Sequence, residues 1–280
     1  MDFLLWGSII FLVLLIYFIS RSNFTSENKT IKILKEMYVK FQNRFEPFNE
    51  FQDLGVVDHI YCIVMPQRKE YMKGVLGSMK INYTFFNAIT PKDITQSDYD
   101  SLSTTNDPKS KLYKHPTRLP LQLSFTMCYL DAIKKAYKTI IVFEDDITVK
   151  VDMSTLMDSI SDFKRSNYIF FYMGYCWMNC QQPFTVDKLK LVDVPDKQLF
   201  CCHAICYKVK YLPELIDSMY PMNDNLDNNI VAFIKQKGYP VCVPTTTFFD
   251  QNRSDLGTLN DDDNEGNLPN CNRELLKKAI

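Results

Sequence analysis

Thr139-Ile140-Ile141-Val142-Phe143-Glu144-Asp145-Asp146 is the stretch on which the fold turns. Its first five residues are apolar or β-branched with no polar alternation, the pattern of a strand covered on both faces. The strand then stops at three consecutive carboxylates. A sheet covered on both faces needs helices on both sides, so strands and helices should alternate around it. Upstream, Val57–Val64 reads as a buried strand ended by Pro66. Gln67–Lys80 reads as an amphipathic helix, with Tyr71, Val75, Leu76 and Met79 at helical spacing, and Tyr83–Ala88 as a second strand. This β-α-β unit implies a parallel pair with a right-handed crossover. Thr90–Leu119 is polar and reads as a long loop, and Leu121–Tyr137 as a helix with one apolar face leading into the quoted strand.

Downstream, the pattern predicts a helix over Met153–Phe163, an aromatic strand over Tyr168–Met173, a loop-rich stretch over 181–200 and a strand over Phe200–Tyr207. A helix through Met219, a helix over Asp227–Lys237 and a last strand over Tyr239–Val243 complete the alternation. No internal repeat is visible, and the fold class is an α/β sandwich.

Composition narrows the function. The 280 residues carry 32 basic and 33 acidic side chains, a formal charge of −1, which speaks against a nucleic-acid binder working by bulk charge. Glycine is scarce, at 8 residues, and neither G-x-G-x-x-G nor G-x-x-x-x-G-K-S/T occurs, which excludes the dinucleotide fingerprint and the P-loop. The three histidines, His59, His115 and His203, form no H-E-x-x-H, so a zincin is excluded.

Phe3–Ser20 is an uncharged apolar run, about 27 Å long as a helix and close to the hydrocarbon core of a bilayer. It lacks a basic start and a small-residue cleavage site, so an uncleaved anchor is the better reading than a signal peptide. The organisation expected is an anchor over 1–21, a stem over 22–55 with a helical stretch from Ile31 to Phe41, a catalytic domain over 56–258 and a polar tail over 259–280. Topology is contested. Arg21, Lys29, Lys32 and Lys35 favour a cytosolic domain, whereas N-x-S/T sequons at Asn23, Asn28, Asn82 and Asn252 favour the lumen.

Glu144-Asp145-Asp146 carries the chemistry. Three carboxylates at a strand end repel one another and are tolerated best with a cation among them. Oxygen-only ligands suit Mn²⁺ or Mg²⁺ with substrate phosphates, and open α/β sheets bind ligands outside the carboxyl ends of their strands. The triplet therefore reads as a metal–diphosphate site. The competing reading is an acid-rich turn or helix start.

Five blocks in order resemble glycosyltransferase family 25, the group of lipooligosaccharide galactosyl- and glucosyltransferases and collagen galactosyltransferases. They are His59–Met65 with Arg68, Phe85–Ile89, Ile141–Asp146, His203–Cys206, and Asp227 with Gln251 and Ser254-Asp255-Leu256. The chain departs from the family's G-E-x-G-C-x-x-S-H segment, where Gln122 stands for the Glu and Cys128-Tyr129 for the Ser-His pair.

The resemblance implies a single-domain GT-A-type nucleotide-diphospho-sugar transferase fold. It also implies transfer of galactose or glucose from a UDP-linked donor to a glycan or protein hydroxyl. Glu144, Asp145 and Asp146 would hold Mn²⁺ or Mg²⁺, and Arg68, Gln251 and Asp255 would bind the donor. Asp227, with Asp224 second, would take the acceptor proton. Each has a plainer reading: a helix cap for Asp224 and Asp227, a turn for Gln251 and Asp255, a helix-surface cation for Arg68. His203 reads as a satisfied core histidine. The clustered cysteines, Cys176 to Cys206, read as buried thiols or a disulfide rather than zinc ligands. A non-catalytic relative and an unrelated membrane-tethered interaction domain are the rival functions.

Overall fold

The computed structural model describes residues 29–52, 55–104, 117–177, 192–193, 199–244 and 247–256. The expected anchor, the sequons at Asn23 and Asn28 and the polar tail lie outside the described residues. The chain divides into two units, Met1–Lys40 and Phe41–Ile280. The first contains helix α1 (Lys29–Lys40).

In the second unit, eight strands form one sheet: β1 (Phe45–Phe48), β2 (His59–Val64), β3 (Tyr83–Asn87), β4 (Thr139–Phe143), β6 (Phe170–Trp177), β7 (Val192–Asp193), β8 (Leu199–Lys208) and β9 (Val241–Val243). Their order is β1-β3-β2-β4-β8-β6-β9-β7. Strands β3, β2 and β4 are mutually parallel, with Cys62 opposite both Phe85 and Phe143. β8 then runs antiparallel between β4 and β6, and β9 is parallel to β6. This mixed sheet with one reversed strand near its middle is consistent with a GT-A-like fold. A separate two-stranded ribbon pairs β5 (Ile147–Val149) with β10 (Phe249–Gln251).

Helices cover both faces. β4 is buried at every position, as its unbroken apolar run demands. One face packs with α2 (Lys69–Ser78) and α5 (Met153–Arg165), through Met72, Leu76, Phe143, Ile160, Phe163 and Phe171. The local chemistry of α5 is orthodox: Asp152 caps it by accepting from the Thr155 N–H at 2.8 Å, and Leu156, Ile160 and Phe163 form its apolar stripe. The other face carries α4 (Arg118–Lys134), α6 (Leu212–Met219) and α7 (Leu226–Lys237). There Phe170 packs against Tyr207 and Phe233. Gly238, in the left-handed region at φ 63°, ends α7.

Three sequence expectations change. First, α4 is buried nearly all round, not along one face; Gln122, Ser124 and Thr126 lie inside with Leu123, Phe125 and Tyr129. It is clamped between β2 and β4 on one side and α6 and α7 on the other, so its polar residues bond within the protein: Ser124 Oγ donates to the Pro120 carbonyl and accepts from the Ile89 N–H. Second, the polar loop after Thr90 contains a helix, α3 (Gln96–Leu102), closed by a capping box from Thr95 and Asp98. Third, β1 lies within the stretch expected as stem. It pairs antiparallel with β3, and Arg44 bonds the Ala88 carbonyl at 2.8 Å, so the sheet starts ahead of Val56.

Candidate active site

The end of β4 is built by three remote segments. Glu144 extends the β4–β8 ladder by one residue, its N–H donating to the His203 carbonyl at 2.9 Å. The chain then turns through Asp145 and Asp146 into β5, whose pairing sets Ile147 opposite Gln251. That register brings Gln251 Nε2 to 3.4 Å from Asp146 Oδ2, and the Asn252 N–H donates to the Asp146 carbonyl at 2.6 Å. After β2, Pro66 opens a short 3-10 turn that aims Met65 and Arg68 at the same place. The Met65 N–H donates to Asp145 Oδ2 at 2.7 Å, and Arg68 Nη1 to Asp145 Oδ1 at 2.8 Å. The same Nη1 lies 3.8 Å from Asp146 Oδ2, while Nη2 donates to the Leu256 carbonyl at 3.3 Å. Arg68, Asp145 and Asp146 are each less than a tenth exposed.

Burial drives the Asp145 carboxyl above the usual carboxylate range, with Asp146 adding to the rise and Met65 and Arg68 opposing it. Arg68 thus brings one cation to the acidic run from inside the chain. This changes two expectations. Both oxygens of Asp145 are engaged by Met65 and Arg68, and Arg68 is turned onto the acids. Among the described residues, no three His, Cys, Asp or Glu side chains gather so as to hold a metal ion.

The start of α7 enters the same neighbourhood. Cys202, on β8, is a buried thiol pushed up first by burial and then by the carboxylates of Asp227 and Glu144, so both lie around it. Burial and Asp227 also push up the Tyr172 hydroxyl. The expected cap role falls to neither aspartate, because Asn225 is the N-cap residue. Asp224 Oδ1 accepts from the Asn225 N–H and from Asn228 Nδ2, at 2.7 and 3.0 Å. Asp227 sits in the first turn, where the helix dipole favours a carboxylate. Asp255 is exposed on the short helix α8 (Arg253–Leu256), the one that offers its last carbonyl to Arg68.

The sequence of glycosyltransferase family 25 (LPS biosynthesis protein) matches residues 59–225, more than half of the chain. The chain belongs to glycosyltransferase family 25. This is a hexosyltransferase family, and membership implies a nucleotide-sugar donor. No curated protein matches the chain. The matched span runs from β2 to the N-cap of α7; it takes in Arg68, the acidic triplet and Asp224, and stops before Asp227, Gln251 and Asp255.

Two features of this family 25 glycosyltransferase escape a reading of its residues in order. His203 is the core histidine expected, and it also ties two strands together: its Nε2 lies 2.9 Å from the Phe249 carbonyl on β10, and its ring rests on Gly174 of β6. A Cβ at position 174 would fall 2.2 Å from that nitrogen, so only glycine fits. The available signal was a lone glycine inside an aromatic strand of a glycine-poor chain. At the departures from the family segment, Gln122, Cys128 and Tyr129 are all fully buried, and the Tyr129 hydroxyl donates to that of Tyr207 at 2.9 Å. Cys201 is disulfide-bonded, whereas Cys202 and Cys206 are free buried thiols.

Proposed function

We propose that the enzyme transfers galactose or glucose from a UDP-linked donor to a hydroxyl of a glycan or protein. The observation that carries this reading is the Arg68–Asp145–Asp146–Gln251 cluster, set just past the carboxyl ends of β2 and β4 where open α/β sheets take their ligands. Asp145 is held by Arg68 and Met65, which leaves Asp146 and Glu144 as oxygen donors. Two carboxylates completed by substrate phosphates are an ordinary set for Mn²⁺ or Mg²⁺, so these residues fit such an ion. When bound, the ion neutralises charge on the leaving diphosphate. Arg68 adds positive charge beside it, and Gln251 and Asp255 hold the donor.

Asp227, with Asp224 as the second candidate, takes the proton of the acceptor hydroxyl. The acceptor oxygen then bonds to the anomeric carbon, and the electron pair of the broken carbon–oxygen bond departs with the diphosphate. The nearness of Asp227 and Glu144 to Cys202 supports placing base and donor at one end of the sheet.

The proposal includes a single-pass anchor at Phe3–Ser20; among the described residues no helix is long and apolar enough to cross a membrane. Two sequons lose weight as glycan sites. Asn82 bonds the backbone of Phe51 through both ends of its amide, and Asn252 lies against Asp146 and Tyr71. The disulfide at Cys201 supports an oxidising compartment instead.

The test is turnover of a panel of UDP-sugars by the full-length enzyme, with and without Mn²⁺ and with glycan and peptide acceptors. Asp227→Asn is expected to keep donor binding and lose transfer by about 100-fold or more. Metal-dependent binding without turnover on any acceptor would instead identify a non-catalytic relative.

A further inference from the structure

Gln122 on α4 is completely buried and bonded at both ends of its amide. Its Nε2 donates to the Met219 carbonyl, and its Oε1 accepts from Asn229 Nδ2, each at 2.9 Å. The same Asn229 nitrogen donates to the Asp224 carbonyl at 2.9 Å. Gln122 and Asn229 thus bracket the segment from Met219 to Asp224 that joins α6 to α7. One turn along α4, Thr126 Oγ1 bonds both the Gln122 carbonyl and the Tyr220 hydroxyl, at 2.8 Å each. Through the Gln122 amide the links run one way, from Asn229 Nδ2 to Oε1 and from Nε2 to the Met219 carbonyl. An amide satisfies that order because one end donates and the other accepts. A carboxylate offers two acceptors, and one of them would face the Met219 carbonyl in a fully buried site; only its protonated form restores the order.

We infer that Gln122 is a positioning residue that sets the Asp224–Asp227 segment through Asn229, and that its amide makes this setting independent of pH. The inference rests on the proposed proton-accepting role of Asp227 or Asp224.

A glutamate at 122 would meet few charges that could hold it ionised. Tyr220 and, through Asn229, Asp224 reach the site, and Asp227 lies at the same helix start. Of the other elements packed on α4, β4 carries no titratable group. His59, Tyr61 and Cys62 on β2 face α4 further along, at Asp131 and Cys128. On α6, Glu214 is paired with Lys237 of α7, and Asp217 lies half a turn before Met219; Lys210 precedes that helix, and Arg118 is one turn before Gln122 on α4.

Gln122→Glu and Asn229→Ala in the full-length enzyme test the inference, by steady-state kinetics and thermal unfolding from pH 5.5 to 8.5. At pH 8, Gln122→Glu is expected to lose about tenfold or more in kcat with the donor KM within about threefold, and to recover toward wild type on acidification. Its unfolding midpoint should approach that of wild type over the same range. Asn229→Ala should lose kcat at every pH, again with the donor KM held. A wild-type kcat for Gln122→Glu at pH 8, or a deficit of constant size across the range, overturns the inference. If Gln122→Glu does not accumulate, Asn229→Ala decides: an unchanged kcat overturns it. If the wild type turns over no donor, the transferase reading fails separately, and the pH dependence of the Gln122→Glu unfolding midpoint still decides whether the Gln122 amide sets the segment.

Discussion

Arg68 is the residue on which two buried carboxylates depend. It reaches Asp145 directly and Asp146 at 3.8 Å, with the Asp145 pair nearly shut off from solvent. Removing one partner of such a pair typically costs about 3–5 kcal/mol, because the other charge stays buried. Arg68→Ala is therefore expected to lose stability on that order at neutral pH, read by urea unfolding. The sign with pH follows from Asp145, whose carboxyl is already raised by burial. A raised carboxyl contributes stability that is present below its unfolded pKa and lost as pH rises through the folded one. The Arg68→Ala deficit should accordingly be smaller at pH 4 than at pH 7.5. Arg68→Lys keeps the charge but cannot span Asp145 and the Leu256 carbonyl together, so it should fall between the two. The clustering of three carboxylates just after a buried apolar strand was legible from the sequence. The partner of Asp145 was not, because 77 residues separate it from Arg68 and nothing local ties them.

Elements of ordinary length were legible where one force dominates. β4 is apolar because both its faces are covered, and α5 shows a clean stripe and cap. β10 escaped notice because three residues carry no periodicity, yet it brings Gln251 to Asp146. α4 was read as amphipathic because its polar residues look like a solvent face until the helices beyond them are in place. The ribbon of β5 and β10 is tied to the sheet by His203 at the Phe249 carbonyl over Gly174, and by the Phe248 N–H at the Met173 carbonyl. Gly174→Ala would push into both the His203 ring and that carbonyl, the latter only 2.8 Å from the new Cβ, so a side-chain rotation cannot relieve it. Overpacking of this kind costs about 1–3 kcal/mol. The expected result is a lowered unfolding midpoint, together with a fall in donor turnover that persists at temperatures where the variant remains folded.

At the scale of the whole molecule, the two ends of the sheet answer to pH differently. His59 opens β2 at the end opposite the acidic turn, bonded to Thr84 Oγ1 at 2.8 Å and stacked on Tyr137. Burial first, and then Lys135, lower its pKa from 6.5 to about 4. A lowered histidine contributes stability that is complete above the unfolded value and is lost as pH falls through the folded one. On that basis about 3 kcal/mol should disappear between pH 6.5 and 4. His59→Gln, which cannot titrate, should lose less stability than wild type between pH 7 and pH 4.5 in chemical denaturation. Asp145 works in the opposite sense, so the difference between variant and wild type isolates His59.

The α/β class and the parallel core were legible from the order of patterns. The antiparallel β8 between β4 and β6 was not, because neighbours in a sheet are fixed by crossovers that no local pattern records. Under the proposed function, the carboxyl end of β4 binds a nucleotide diphosphate through Asp146. The most direct measurement is equilibrium binding of UDP to the full-length enzyme with and without Mn²⁺, in wild type, Asp146→Asn and His59→Gln. Wild type and His59→Gln should bind with Mn²⁺-dependent affinity, and Asp146→Asn should bind about 100-fold or more weakly, a loss of about 2.7 kcal/mol. Equal binding by wild type and Asp146→Asn, or no UDP binding by wild type under any condition, would contradict it.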